Sequence, residues 1–286
     1  MNRICGAVAA LALVLAGCAG GSGSSSEPDD RAAASATPDD PTETPDVSTE
    51  RVVSDERITE SSDLVRSNRS PDLLWTMNDS GDAPRVFGIG GSGRTQSVVT
   101  LSGAKAIDWE DMASGRDADL WVGDIGDNAM DRTDITVYRF REPTRLGDST
   151  VAVTGYRLRY PDGPHNAEGL MVNQRTGVVY VVSKARDPKR ASIYAAPTEL
   201  SPTDINLLTR VGPAPPFATA AEFEPDSDRF AVRSYTTAYV YDSMGAEPQV
   251  VALPKQRQGE SLCFGSADTL LLGSEGRSQP VLTVPF

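Results

Sequence analysis

Glu110, Glu168, Glu222 and Glu260 stand in one recurring setting: each opens a short apolar run, and a second run follows that ends in polar residues. Glu110-Asp111-Met112-Ala113 leads to Leu120-Trp121-Val122-Gly123-Asp124, and Glu168-Gly169-Leu170-Met171-Val172 leads to Val179-Tyr180-Val181-Val182-Ser183-Lys184. Glu222-Phe223 is followed by Phe230-Ala231-Val232-Arg233-Ser234, and Glu260-Ser261-Leu262-Cys263-Phe264 by Leu270-Leu271-Leu272-Gly273-Ser274-Glu275. A weaker copy, lacking the aligned Glu, runs from Ser61 to Asn78-Asp79. If the fold gathers these acids, two carboxylates about 5 Å apart at an effective dielectric near 20 repel by ~3 kcal/mol, so something must answer them. Three answers are open: a bound cation, the chain's own Lys184, Arg233 and Arg277, or pKa values raised until some acids stay protonated. Only oxygen donors are on offer, with Asp124, Asp127 and Asn128 adding to the set, and such a set suits Ca2+ or Mg2+ over zinc. The metal candidates are therefore Glu110, Asp124, Asn128, Glu168, Glu222 and Glu260. Asn78, Asp79, His165, Lys184, Arg233 and Glu275 are the candidates for contacting a ligand.

The elements that position these residues are strands. From residue 51 to 286 short β-branched and aromatic runs alternate with Gly, Pro, Asp and Asn turns, and no stretch of a dozen residues keeps a helical period. Besides the paired runs of each repeat, strands are predicted at 86–89, 97–101, 135–140, 151–158, 192–195, 207–211, 238–241, 249–253 and 280–284. This gives four strands per unit, with units starting near Ser62, Glu110, Glu168, Glu222 and Glu260. Spacings of about 40 to 60 residues suit the blades of a β-propeller. The expectation is an all-β propeller of five four-stranded blades; six blades is the alternative, and a two-sheet sandwich would not explain the spacing. The last unit is one strand short, and residues 51–58 are expected to supply it and lock the ring. In a blade the innermost strand starts, and the second strand ends, at the same face of the disc. That puts the four Glu around a central mouth, with Asn78, Asp79, Asp124, Ser183, Lys184, Arg233, Ser234, Ser274 and Glu275 beside them.

The first residues read as an export signal: Arg3 precedes the apolar run 7–15, which ends in Leu15-Ala16-Gly17-Cys18. Those four residues resemble a bacterial lipobox, so 1–17 is expected to be removed and Cys18 to carry lipid, palmitate included. No later run approaches the ~18 apolar residues a span requires, so membrane attachment is expected through lipid alone. Residues 18–50 are Gly, Ser, Pro, Ala, Thr and acid, and are expected to be a disordered acidic tether. Eight acids there face only Arg31, and residues 51–286 contribute a similar excess of acid to the chain's net −13. A mildly acidic domain excludes nucleic acid as a partner, since its binding requires a basic face. The expected setting is extracytoplasmic, as a monomer at the cell membrane, with an envelope protein or a small molecule as partner. Of the cysteines outside the signal, Cys263 lies in an apolar strand and reads as a buried, inert thiol.

Other catalytic signals are thin. His165 is the only histidine; it can serve as one general base, or simply bond within its own loop. No Gly-x-Ser-x-Gly elbow occurs. The run Gly88-Ile89-Gly90-Gly91-Ser92-Gly93 lacks the Lys and helix of a phosphate loop and reads as a turn. Trp75, Trp109 and Trp121 are expected to pack between blades.

The phrases Leu74-Trp75-Thr76-Met77-Asn78-Asp79-Ser80-Gly81-Asp82, Asp108-Trp109-Glu110-Asp111, Gly123-Asp124-Ile125-Gly126-Asp127-Asn128, Val137-Tyr138-Arg139 and Glu142-Pro143 resemble secreted bacterial propeller proteins, often actinobacterial lipoproteins. More distantly, the arrangement is similar to calcium-dependent propellers of the gluconolactonase, paraoxonase and phytase-like groups. That resemblance implies a central divalent ion held by carboxylate and amide oxygens, with Glu110 as the first ligand to test. Those enzymes commonly have six blades, and their remaining ligands do not map onto this chain one by one. Two functions follow: a lipid-anchored binding or scaffolding module at the cell envelope, or a Ca2+-dependent hydrolase of a lactone, ester or phosphoester.

Overall fold

The computed structural model describes residues 46–266 and 268–286. The signal segment, Cys18 and most of the acidic tether lie outside the described residues. Strand β1 (Ser48–Val52) comes first. The first blade follows as β2 (Val65–Arg66), β3 (Leu74–Thr76), β4 (Arg85–Ile89) and β5 (Thr95–Ser102). The second is β6 (Trp109–Ser114), β7 (Asp119–Asp124) and β8 (Ile135–Arg141), then β9 (Ser149–Ala152) and β10 (Thr154–Arg159). The third is β11 (Ala167–Val172), β12 (Val179–Ser183) and β13 (Ser192–Ala195), then β14 (Ile205–Leu207) and β15 (Thr209–Pro213). The fourth is β16 (Ala220–Phe223), β17 (Phe230–Arg233), β18 (Thr237–Tyr241) and β19 (Gln249–Ala252). The fifth is β20 (Leu262–Phe264), β21 (Thr269–Leu272) and β22 (Pro280–Pro285), completed by β1 on the outer edge of β22. The chain is a five-bladed β-propeller.

The closing strand lies at Ser48–Val52 and not at 51–58. Residues 54–58 are too polar for a strand and make a turn, with Ile58 N–H donating to Asp55 O and Arg57 folded onto the Asp55 carboxylate. Val47, the one large apolar residue of the 18–50 segment, packs onto the core between blades four and five instead. Arg51 fixes the closure from the strand's inner side: it is 7 % exposed, and its Nη1 donates to Asp72 O at 2.7 Å and Ile89 O at 3.1 Å, both in blade one.

Two of the expected fourth strands, 151–158 and 207–211, are each broken in the middle. The first half of each pairs in parallel with the outer edge of the preceding blade, β9 on β5 and β14 on β10. The second halves, β10 and β15, complete their own blades. An outer strand is an open row of N–H and C=O groups, and a short borrowed strand covers it. Those two blades gain a fifth strand and a lateral tie to the next blade.

Apolar residues pack between blades, as the burial along the strands dictates. The outer strands alternate, β10 most clearly, whereas β6, β11 and β16 are buried at every position because neighbouring blades cover both faces. Five apolar clusters fill the five interfaces. Trp75 and Trp109 pack between blades one and two, and Trp121 and Tyr194 between two and three. Met171 and Phe230 lie between three and four, Leu272 and Val240 between four and five, and Leu271 and Phe87 between five and one. Burying each such side chain contributes ~1.5–3 kcal/mol, and one blade alone leaves both faces wet, so the blades stabilise one another only as a ring. Cys263 is buried and unpaired in the last of these interfaces, where burial holds its thiol far above the ordinary value.

Candidate functional site

Each innermost strand begins at the face where its neighbour ends, so the polar residues at those ends meet at one mouth. There Asp79, Asp108 and Glu110 converge: one carboxylate oxygen from each lies within 4.8 Å of the others. Asp79 follows β3, and Asp108 and Glu110 flank the first residue of β6, where a bulge between Trp109 and Asp111 breaks the pairing with β7. The bulge turns Glu110 toward Asp108 and away from the sheet. Room for both comes from Gly126, where a Cβ would collide with Asp108 Oδ2 and Glu110 Oε1.

Glu110 is 5 % exposed and has no hydrogen-bond donor among the described residues. Its pKa is pushed up to about 11, by burial first and then by the charges of Glu168, Asp79, Asp108 and Glu260. Burial raises Asp79 to about 6, with Asp108 and Glu260 adding to it and the Ser80 amide opposing. Asp108 is raised as well, by burial and by Asp124 and Asp127, against the nearby Arg132. Around this core stand Glu168, Glu260 and Glu275. Glu168 is drawn up to about 7 by burial although it bonds Lys184. Burial acts to lower the Lys184 pKa, but Glu168 outweighs it, so Lys184 stays charged. Glu275 reaches about 8 through burial and the adjacent Glu260. The mouth thus holds more acid than its one bonded lysine answers. Carboxylate oxygens converging on one point, with a buried member left without a donor, fit a hard divalent cation.

The other sequence candidates are used differently. Asp124 is fully buried; its Oδ1 fixes the loop by accepting from Asp108 N–H at 3.1 Å and from Arg132 Nη1 at 2.9 Å, while its Oδ2 has no partner among the described residues. Asn128 is exposed and takes Asn166 Nδ2 at 3.1 Å. Asn78 spends its amide wholly on backbone and Asp82: Thr59 and Glu60 N–H donate to it, and it donates to Arg57 O and Asp82. His165 bonds within its own loop, with Nε2 3.0 Å from Asp162 Oδ1 and 2.9 Å from Tyr194 Oη. Arg233 is fully buried, donates to Gly273 O at 2.9 Å and Gln256 Oε1 at 2.6 Å, and is drawn down to about 9 by burial, with Glu260 and Asp63 opposing.

Glu222 is out of register with the other three Glu. The N–H groups of Met112, Leu170 and Ala221 come to one Asp111 carboxylate, so these residues are equivalent in their blades. The residue two places before each is Glu110, Glu168 and Thr219. Glu222 lies one place after, faces inward, and accepts Phe264 N–H at 2.8 Å while burial holds its pKa well above the ordinary range. The apolar run after Glu222 imitates the repeat, but the strand has already begun at Ala220.

Sequence reasoning missed two things. Asp108 was not singled out as a ligand, though it stands two residues before Glu110, the spacing that returns to the same face of a strand. The second is a buried pair, Asp63 and Asp111, at the hub. Asp111 accepts from Leu170 N–H at 2.5 Å, Ala221 N–H at 3.2 Å and Met112 N–H at 3.0 Å, and Asp63 accepts from Met112 N–H at 3.2 Å. The amides of Leu64 and Leu262 also lower the Asp63 pKa, although Asp63 Oδ1 has no partner in hydrogen-bond geometry. One amide from each of the five innermost strands therefore turns to this pair. Burial raises Asp63 to about 7 and Asp111 well beyond its ordinary value, with the Asp63 charge adding to the cost of ionising Asp111.

No family model matches the chain, and no curated protein matches it. Among solved structures it is similar to a gluconolactonase from Xanthomonas campestris, at 15 % identity over 78 % of this chain and 70 % of that one, with a TM-score of 0.47. It is also similar to the PQQ-bound aldose sugar dehydrogenase of Streptomyces coelicolor, at 9 % identity over 84 % of this chain and 98 % of that one, with a TM-score of 0.44. A chain of a nidogen–laminin complex gives 11 % identity, 76 % and 73 % coverage and a TM-score of 0.47. The propeller rests on the strand pairing described above and not on these similarities.

Proposed function

We propose that the protein is an extracytoplasmic binding module, lipid-anchored at Cys18, whose mouth takes a divalent cation and, with it, a small-molecule or envelope-protein ligand. The observation that carries this reading is Glu110, 5 % exposed, without a hydrogen-bond donor, and facing Asp79 and Asp108 within 4.8 Å. A buried carboxylate costs several kcal/mol unless it is protonated or paired, on the order of the largest single contributions to a domain's stability. Asp79, Asp108 and Glu110 would hold the ion, and the oxygen-only set favours Ca2+ or Mg2+. Asp124, whose Oδ2 is unspent, and Asn128 stand in the loop beside this set as its further candidates.

Thermal melting of the purified domain tests the reading. Ca2+ or Mg2+ should raise Tm and a chelator should reverse it; Tm unmoved by either ion sinks the metal. Glu110→Gln should abolish the shift. For the anchor, Cys18→Ala should move the protein from the membrane fraction to the soluble one, and unaltered fractionation removes the lipid.

A second reading, a metal-dependent hydrolase of a lactone, ester or phosphoester, is favoured by Glu275. Drawn up to about 8 beside the cluster, its carboxyl holds a proton near neutral pH and can pass it to a leaving oxygen. A divalent ion there would supply Lewis acidity and an activated water. Turnover of a lactone, ester or phosphoester panel that requires the ion and fails in Glu275→Gln supports this reading, and no turnover with the ion bound leaves the binding module.

A further inference from the structure

The mouth face is acidic on one side and basic on the other. In blades one and two its loops carry Asp79 and Asp82, then Asp127, Asp131 and Asp134 against Arg132. On the opposite side, residues 184–190 between β12 and β13 carry Lys184, Arg186, Lys189 and Arg190 against Asp187, and residues 253–261 leading to β20 carry Lys255 and Arg257 against Glu260. Such an excess is unexpected in a chain of net charge −13. Between the β17–β18 turn and the segment leading to β20 opens a cavity of about 480 Å³ lined by Tyr235, Thr236, Lys255, Gln256, Arg257, Gln258 and Gly259. Lys184 Nζ lies 5.0 Å from the centre of the Tyr235 ring at its border. Among the described residues neither Lys255 nor Arg257 forms an ion pair. Beneath them Gln256 is held by Arg233 through Oε1, and its Nε2 is buried without an acceptor.

We infer that this cavity is an oxyanion subsite, and that the ligand of the mouth is a small molecule carrying a carboxylate or phosphate group. Two cations that line one cavity with no ion-pair partner among the described residues, and a buried unspent N–H beneath them, suit a compact anion; a guanidinium in particular matches a carboxylate or phosphate edge in two parallel bonds. A neutral ligand would leave both charges unused. Placing this group at the mouth rests on the mouth being the ligand face, but the subsite does not require that a metal be bound.

Calorimetric titration of the metal-free protein with inorganic phosphate, and separately with succinate, tests the inference. At low salt at least one of the two should bind, and the exposed double variant Lys255→Ala/Arg257→Ala should weaken that binding at least tenfold with its circular dichroism unchanged. Stronger binding of phosphate points to a phosphate ester, and of succinate to a carboxylic acid. Glu110→Gln should retain oxyanion binding while losing the response to Ca2+, which separates failure of the metal from failure of the subsite. Should neither anion bind, should the double variant bind as well as the parent, or should Lys189→Ala/Arg190→Ala weaken binding equally, the subsite is overturned in favour of a diffuse basic surface.

Discussion

The hub and the mouth both gather carboxyl groups at the ring's centre, and they differ in how those groups are answered. At the hub, Asp63 and Asp111 are fully buried, yet the amides of Met112, Leu170 and Ala221 donate to them. At the mouth, Asp79, Asp108 and Glu110 converge within 4.8 Å, and among the described residues no backbone amide reaches Glu110. Burial raises the pKa in both places, so a raised pKa alone does not mark a functional site. What distinguishes the mouth is unspent hydrogen-bonding capacity next to solvent. The hub spends its acids holding the blades in register, and the mouth leaves its acids available.

The largest effect is expected at the hub. Asp111→Ala leaves the Leu170 and Ala221 amides without an acceptor at about 1–3 kcal/mol each, so urea unfolding should show a loss of roughly 2–5 kcal/mol or a failure to fold. A loss below about 0.5 kcal/mol would mean that the hub does not tie the blades. At the mouth the contrast reverses: Glu110→Gln should leave the metal-free melting temperature equal or higher, because a neutral amide replaces a carboxyl that burial already disfavours as the anion and that has no hydrogen-bond donor among the described residues. The same variant should forfeit the stabilisation by Ca2+, about 2.7 kcal/mol at a concentration 100-fold above Kd. A metal-free Glu110→Gln protein that melts well below the parent would make Glu110 a second hub.

The pH dependence sharpens the comparison next. Burial lifts Asp79 to about 6, Asp63 and Glu168 to about 7 and Glu275 to about 8, above the 3.8 of Asp and 4.5 of Glu in the unfolded chain. The folded chain therefore binds more protons than the unfolded one across this interval. Stability present in full below about pH 4 is lost as pH rises through 6 to 8. Melting curves of the metal-free protein from pH 4.5 to 8.5 should fall, and saturating Ca2+ should flatten the fall by answering Asp79 but not Asp63. A metal-free curve that rises with pH would contradict the raised values.

The smallest effect is expected for Glu222→Gln. Its carboxyl is already held neutral by burial, and the amide can still accept from Phe264 N–H, so stability should change by less than about 1 kcal/mol and the Ca2+ response not at all. A weakened Ca2+ response in that variant would return Glu222 to the mouth.

The blades were legible because a strand that packs on both faces must be apolar throughout, and five such runs recur with turn residues between them. Glu110, Glu168, Glu260 and Asp79 were legible at the mouth for the same reason, since the ends of those runs fix where polar residues emerge. Glu222 misled because a one-strand copy carries no register: the pattern after it matches, but the pairing of Ala220 with Arg233 starts the strand two residues earlier. The broken strands at 151–158 and 207–211 were invisible because both halves are equally strand-like, and only a neighbour's open edge decides which half it takes.

The sequence by itself determined an all-β ring, its blade count and the face on which its acids collect, because periodicity and turn chemistry act locally. Only the tertiary structure decided which acids are spent and which remain. That outcome depends on whether a backbone amide from a blade some fifty or a hundred residues away comes within hydrogen-bond reach, as those of Leu170 and Ala221 both do at Asp111 and none among the described residues does at Glu110.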